Sequence, residues 1–230
     1  MFMTNRLLLS VLLLLNGPVS TPQSPSAILI PVAQSIPVLD GSCDDFDRAV
    51  AIPWPARSQT ATVFVAHNRD TLLVCVQSPA GKLYERWIGV YLDPQADATS
   101  KTWAQPNDWS LQINMSLGTL TSQTGDGVGS YSPASAAWQA KRVLADDIES
   151  AEFQIPLYGL HLGECGRAFH IALAHQWVNA VAEDYFWPDN ASFNQPATWA
   201  RATLTGTLCP EDLTQRLYVP IFLFNGSVAP

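Results

Sequence analysis

The chain has 230 residues, 47% of them hydrophobic and only 14% charged, which suits one domain with a sizeable core plus flanking segments, not two domains. Its net charge is −8 and its 12 Lys and Arg are scattered along the sequence. A phosphate backbone is bound through a basic stripe, so nucleic acid is excluded as a partner.

Residues 1–20 read as a secretory signal peptide. Arg6 supplies the positive start, Leu7 to Leu15 an apolar run broken by Ser10, and Asn16-Gly17-Pro18 its end. That run is too short to cross a bilayer, which takes about twenty residues. The expectation is a secreted or cell-surface protein with no transmembrane span once mature. Residues 21–35, rich in Pro and Ser, read as a linker.

The domain proper is expected over residues 36–209. Asp40-Gly41 signals a turn, and Phe46 and Ala49 stand at the spacing of a brief helical turn. Residues 61–66 and 72–77 are β-rich runs joined by His67-Asn68-Arg69-Asp70, a hairpin connection. Residues 86–93 form a strand with a buried pattern that ends at Asp93-Pro94. A long polar loop carrying Trp103 follows, up to Asn107. Residues 108–115 alternate, with Trp109, Leu111, Ile113 and Met115 on one face, and residues 117–121 turn back along them.

Residues 124–135, rich in Gly and Ser, read as a mobile loop, and residues 138–144 and 148–155 as a second hairpin. Pro156 to Leu160 adds a helical turn. Residues 169–178 form the longest strand candidate, and residues 198–205 close the domain. Between these last two lies an aromatic loop with Tyr185, Phe186, Trp187 and Phe193, where Pro188 and Pro196 bar a helix. Nine or so short strands with turns at this spacing predict an all-β fold, an antiparallel β-sandwich of jelly-roll or immunoglobulin-like kind with one or two short helical turns. Residues 210–230 form a tail whose apolar stretch, Leu217 to Phe224, reads as an edge strand, a docking segment or a contact to a cell-surface component.

The four cysteines are even in number, as disulfides in an exported chain require, and none lies in a C-x-x-C pair. Three pairings are possible. Placement favours Cys165 with Cys209, which leaves Cys43 with Cys75.

Several segments in order resemble the family 9 carbohydrate-binding modules, within the wider DOMON-like sandwich group. They are Val38-Leu-Asp-Gly41, Thr71-Leu-Leu-Val-Cys-Val76, Val90-Tyr-Leu-Asp-Pro94, Ala151-Glu-Phe-Gln-Ile-Pro-Leu157 and Gln195-Pro-Ala-Thr-Trp-Ala-Arg-Ala-Thr-Leu204. The chain departs from the family at Phe46, where Trp is usual, and at Ala200, where Gly is expected after the last Trp. The resemblance implies a sandwich that binds a polysaccharide end or an oligosaccharide by clamping a sugar between two Trp.

Most Trp in a sandwich are core, and Trp87, Trp109, Trp138, Trp177 and Trp199 fall in or at predicted strands. Trp103 and Trp187 fall in polar loops, so these two, with Asn107 and Asp189 beside them, are the expected sugar-binding residues. Asp93, Asp97 and Asp108 flank the long polar loop and offer the oxygen ligands that calcium takes, as the resemblance also implies. No catalytic motif or paired-carboxylate signature occurs, so no enzyme is expected. Haem carriers of the DOMON group use Met with His or Lys, but Met115 alternates with core residues and no haem is expected. The alternative function is a structural or adhesive surface module without a small ligand.

Overall fold

The computed structural model of the chain describes residues 27–56, 59–68, 70–80, 86–97, 101–162, 167–177 and 185–206. The expected signal peptide, Cys165, Cys209 and the apolar tail lie outside these residues. In chain order the described strands are β1 Ala27–Ile30, β2 Val50–Ala56, β3 Gln59–His67, β4 Thr71–Pro79, β5 Arg86–Asp93, β6 Trp109–Asn114 and β7 Leu120–Gly125. They continue with β8 Tyr131–Pro133, β9 Gln139–Leu144, β10 Ile148–Pro156, β11 Phe169–Trp177, β12 Tyr185–Trp187 and β13 Ala200–Leu204.

These strands form two stacked sheets. The larger has the order β1-β13-β11-β5-β6-β7-β8, with β12 also on β11, and the smaller β2-β3-β4-β10-β9. Alternation explains the stacking. Val63, Val65, Leu72, Val74, Val76, Phe153 and Ile155 of the smaller sheet meet Ile88, Val90, Leu92, Leu111, Ile113, Ile171 and Leu173 of the larger in one buried cluster. Met115 is buried there too. The expected sandwich is present.

Four details differ from the sequence reading. Residues 27–30, assigned above to the linker, form β1 and pair parallel with β13, so the domain begins earlier and its edge is not antiparallel. β2 pairs with β3 along Pro53 and Pro55, which an edge strand tolerates because its outer side donates to no neighbour. The stretch 124–135 is not a free loop. It ends β7, forms β8 and is tied at residues 126–130, where Asp126 Oδ1 accepts from the N–H groups of Val128 and Ser130. The helical turn expected at Phe46 and Ala49 is two successive tight turns, Phe46 N–H to Cys43 O and Ala49 N–H to Phe46 O. The turn expected near residue 158 is present as a short 3-10 helix, Tyr158–Leu160.

The segment before β2 wraps across the outer face of the smaller sheet. A disulfide joins Cys43 to Cys75 of β4, and Phe46, Leu73 and Phe64 pack around it. Glu152 of β10, fully buried, accepts the backbone N–H groups of Asp40 and Gly41 on Oε2, each at 3.0 Å. Gly41 has φ +94°, and a Cβ there would lie 2.8 Å from the Arg142 backbone carbon, so glycine is required. Burial pushes the Glu152 carboxyl up, against the lowering effect of those two N–H groups. Glu152→Ala would leave the two N–H groups without an acceptor and should destabilise by about 1–3 kcal/mol. Glu152→Gln keeps an acceptor, removes a buried charge and should melt near the wild type. A Gln variant as damaged as the Ala variant in thermal melts would show that the charge itself is needed.

Candidate functional site

The outer face of the larger sheet is built from the residues that alternate with its core positions. Register sets Gly89 of β5 between Gln112 of β6 and Ala174 of β11, Tyr91 between Ser110 and Ala172, and Trp87 between Asn114 and Gln176. Small residues at 89, 110, 172 and 174 leave room over the sheet, and the rings of Tyr91 and Trp199, with Ala191 and Phe186, fill it. A Cβ on Gly89 would lie 2.9 Å from Tyr91 Cε2 and 3.3 Å from Gln112 Cγ, so glycine lets the Tyr91 ring lie across it.

Polar groups meet at the Tyr91 hydroxyl. It donates to Gln176 Oε1 at 3.2 Å and accepts from Gln112 Nε2 at 2.8 Å, and Gln112 Nε2 also reaches Ser110 Oγ at 3.0 Å. A row of rings continues from Tyr91. Its centroid lies 5.9 Å from that of Trp199 and 6.0 Å from that of Tyr131, and Tyr131 lies 6.2 Å from Phe193. Tyr91 and Trp199 are buried, Tyr131 and Phe186 half-buried, and Phe193 is 38% exposed. Burial pushes the Tyr131 hydroxyl far above its ordinary value, so it stays neutral and donates a hydrogen bond to Phe193 O at 2.7 Å.

Three loops are bound together at this end of the face. Ala104 N–H donates to Asn194 O, Asn194 Nδ2 to Gly129 O, and Gly127 N–H to Ala104 O. Trp199 Nε1 donates to Ser192 O at 2.7 Å, which anchors the loop carrying Phe193. Trp103 is half-buried against Gly129, where the space for a Cβ lies 3.5 Å from its ring. It forms part of this rim.

The other expected sugar-binding residues do not gather with it. Trp187 lies on β12, a strand the sequence reading took for loop, in register with Leu173, and its ring packs against the main core. Asp189 is exposed on the turn that follows the cis Trp187–Pro188 bond. The Asn107 side-chain nitrogen is buried with no hydrogen-bond partner among the described residues. The reading missed Tyr91, Gln112, Gln176 and Phe193 as a group. A signal was present in β11, whose outward positions 172 and 174 are Ala where a solvent-facing strand usually carries longer polar side chains.

Asp93, Asp97 and Asp108 are brought near one another, at the edge of the same face. His170 Nδ1 donates to Asp93 Oδ2 at 2.9 Å, and Gln105 N–H to Asp108 Oδ2 at 2.7 Å. Among the described residues no group of three or more His, Cys, Asp or Glu is arranged to hold a metal ion. The three carboxylates act on each other as like charges. Burial first, then Asp93 and Asp97, pushes the Asp108 carboxyl up to about 7 despite the Gln105 N–H. As a carboxylate it would keep Oδ1 buried without a donor, and once protonated it donates to Asp93.

The consequence has a definite sign. The folded carboxyl holds its proton to about pH 7, whereas the unfolded one releases it near 3.8. The stability from this proton is full below about pH 4 and is lost as pH rises through 7. Asp108→Asn keeps the acceptor for Gln105 and cannot ionise, so thermal melts of this variant should fall less between pH 4 and pH 8 than those of the wild type. Parallel pH profiles for the two proteins would rule the coupling out.

The fold is similar to that of family 9 carbohydrate-binding modules. Two solved structures of such a module from Caldicellulosiruptor kristjanssonii share it. The complex with glucose is 18% identical with a TM-score of 0.58, over 79% of this chain and 97% of that one. The complex with cellotriose is 18% identical with a TM-score of 0.57, over 79% and 95%. No protein-family profile and no curated protein matches the chain. At this identity the likeness establishes the fold.

Proposed function

We propose that this chain is a non-catalytic, exported carbohydrate-binding module that takes a neutral sugar on the outer face of its larger sheet. The observation that carries the reading is the amide pair around Tyr91. Gln112 spends its amide nitrogen on Tyr91 and Ser110, and Gln176 spends its amide oxygen on Tyr91. The Gln112 oxygen and the Gln176 nitrogen remain, an acceptor and a donor on either side of Tyr91 for sugar hydroxyls. Phe193, exposed at the rim over Tyr131, offers an apolar ring for the C–H face of a sugar. Amides and a hydroxyl move no protons at neutral pH, so the array binds and does not cleave. Trp103 stays in the proposal as a rim residue, and Trp187 supports the loop from the core side.

The fold likeness makes glucose and cellotriose the first sugars to try, since both were seen bound to the similar modules. Phe193→Ala and Gln112→Ala should each weaken binding several-fold, as loss of about 0.5–1.5 kcal/mol implies, with the melt little changed. Calorimetric titration of the wild type and both variants tests this. Wild-type binding that both variants retain in full would place the sugar elsewhere.

An adhesive module without a small ligand is the second reading. It is favoured by Leu29, Val32, Ile36 and Val38, apolar residues exposed along and after β1. No binding across a broad glycan array would select it.

A further inference from the structure

His67, the last residue of β3, is 2% exposed and sits where three segments meet. Its backbone N–H donates to Pro31 O and its carbonyl accepts from Ala33 N–H, so the chain after β1 is stitched to the end of β3. Val32 pairs with it in parallel. Thr205, just past β13, donates its N–H to Ile30 O. The His67 side chain joins the same region from within. Its Nε2 lies 2.8 Å from Thr205 O, and its Nδ1 lies 2.8 Å from Asn68 O.

Both of those partners are backbone carbonyls, which only accept. A neutral imidazole has one N–H, so it serves one carbonyl and turns a bare lone pair on the other. An imidazolium has two N–H groups and serves both. Burial works against the charged ring, whereas two acceptors at hydrogen-bond distance work for it. Two oxygens facing two ring nitrogens are matched in full only by the doubly protonated form.

Few other charges stand around it. Residues 27–38, 61–66, 71–76 and 202–206 carry no charged side chain. Asp70, in the hairpin after β3, has its own N–H held by Asn68 Oδ1. Leu157 N–H donates to Asp70 O, which brings the 3-10 turn, and His161 after it, against the same hairpin. Arg69 lies outside the described residues.

We propose that His67 is a proton-operated latch, whose doubly protonated ring fastens the end of β13 to the hairpin after β3. Loss of one proton frees one of the two carbonyls and loosens the β1 edge of the larger sheet. Histidine is the side chain that changes charge between about pH 5 and 8, so this edge is held in acid and held less firmly on the alkaline side. None of the latch residues belongs to the candidate sugar site.

Two measurements on the full chain test the latch. Ring 15N chemical shifts, assigned through the His67 backbone, should show both nitrogens protonated at about pH 5 and only one at about pH 9. Hydrogen-exchange protection at Ala33 and Thr205 N–H, corrected for the intrinsic pH dependence of exchange, should fall over the same range. It should fall about three- to tenfold further than protection at Val74 and Val90 in the core, as loss of one buried hydrogen bond implies. In His67→Gln, which has no titrating ring, Ala33 and Thr205 should follow the core at every pH. Should that variant fail to fold, the ring shifts of the wild type decide alone. A single protonated nitrogen at the acid end, or wild-type protection at Ala33 and Thr205 that tracks the core, would overturn the latch.

Discussion

Gly125→Ala should lower the melting temperature by about 6–12 °C, the shift expected of about 3 kcal/mol in a domain of this size. A Cβ built on Gly125 would lie 2.3 Å from both the carbonyl carbon and the oxygen of Ala104, and 2.7 Å from its Cβ. Backbone atoms of that kind are not relieved by a rotamer change. The loop must lift instead, and two hydrogen bonds hold it there. Gly125 N–H donates to Asp108 O, and Gly127 N–H to Ala104 O. The same loop presents Trp103 and meets the Phe193 loop through Asn194, so the variant should also bind sugar less well. An unchanged melt would mean that the end of β7 and this loop are not in contact as described.

Breaking the Cys43–Cys75 bond should have an effect of the same order. The two residues are 32 apart in sequence, and closing a loop of that size restricts the unfolded chain by about 3–4 kcal/mol in the chain-entropy account. A Cys43→Ala, Cys75→Ala double variant should therefore melt roughly 10 °C lower. The segment before β2 is the part expected to loosen, because hydrogen bonds from Glu152, Ser150 and Gln154 to Asp40, Gly41 and Pro37 would then hold it to the smaller sheet without a covalent tie. Faster hydrogen exchange at Asp40 and Gly41 in the double variant would show this. A melt equal to that of the wild type would mean that the disulfide constrains little.

How much of this architecture was legible in the chain depended on how local each signal was. β3, β4, β5, β6, β9, β10 and β11 were readable because alternation and turn residues act over a few positions, and the core fills from those alternating side chains. The pairing of Cys43 with Cys75 followed from placement and elimination, and the bond is present. The sandwich itself therefore follows from local pattern.

What only the tertiary structure decided was everything that depends on which strands lie side by side. β1 was invisible as a strand because its four residues gain their hydrogen bonds from β13, more than 170 positions away. β12 is hidden for a different reason: its partner β11 lies only 10 to 14 positions away, but three residues are too few to show alternation, and the pairing turns Trp187 toward the core. The candidate site shows the same limit most clearly. Gly89, Gln112, Ala174 and Gln176 are unremarkable on their separate strands, and they become a floor with amides only when register sets β5 between β6 and β11. Alternation specifies which face a residue occupies, but hydrogen-bond register between distant strands specifies its neighbours, and a binding surface is made of neighbours.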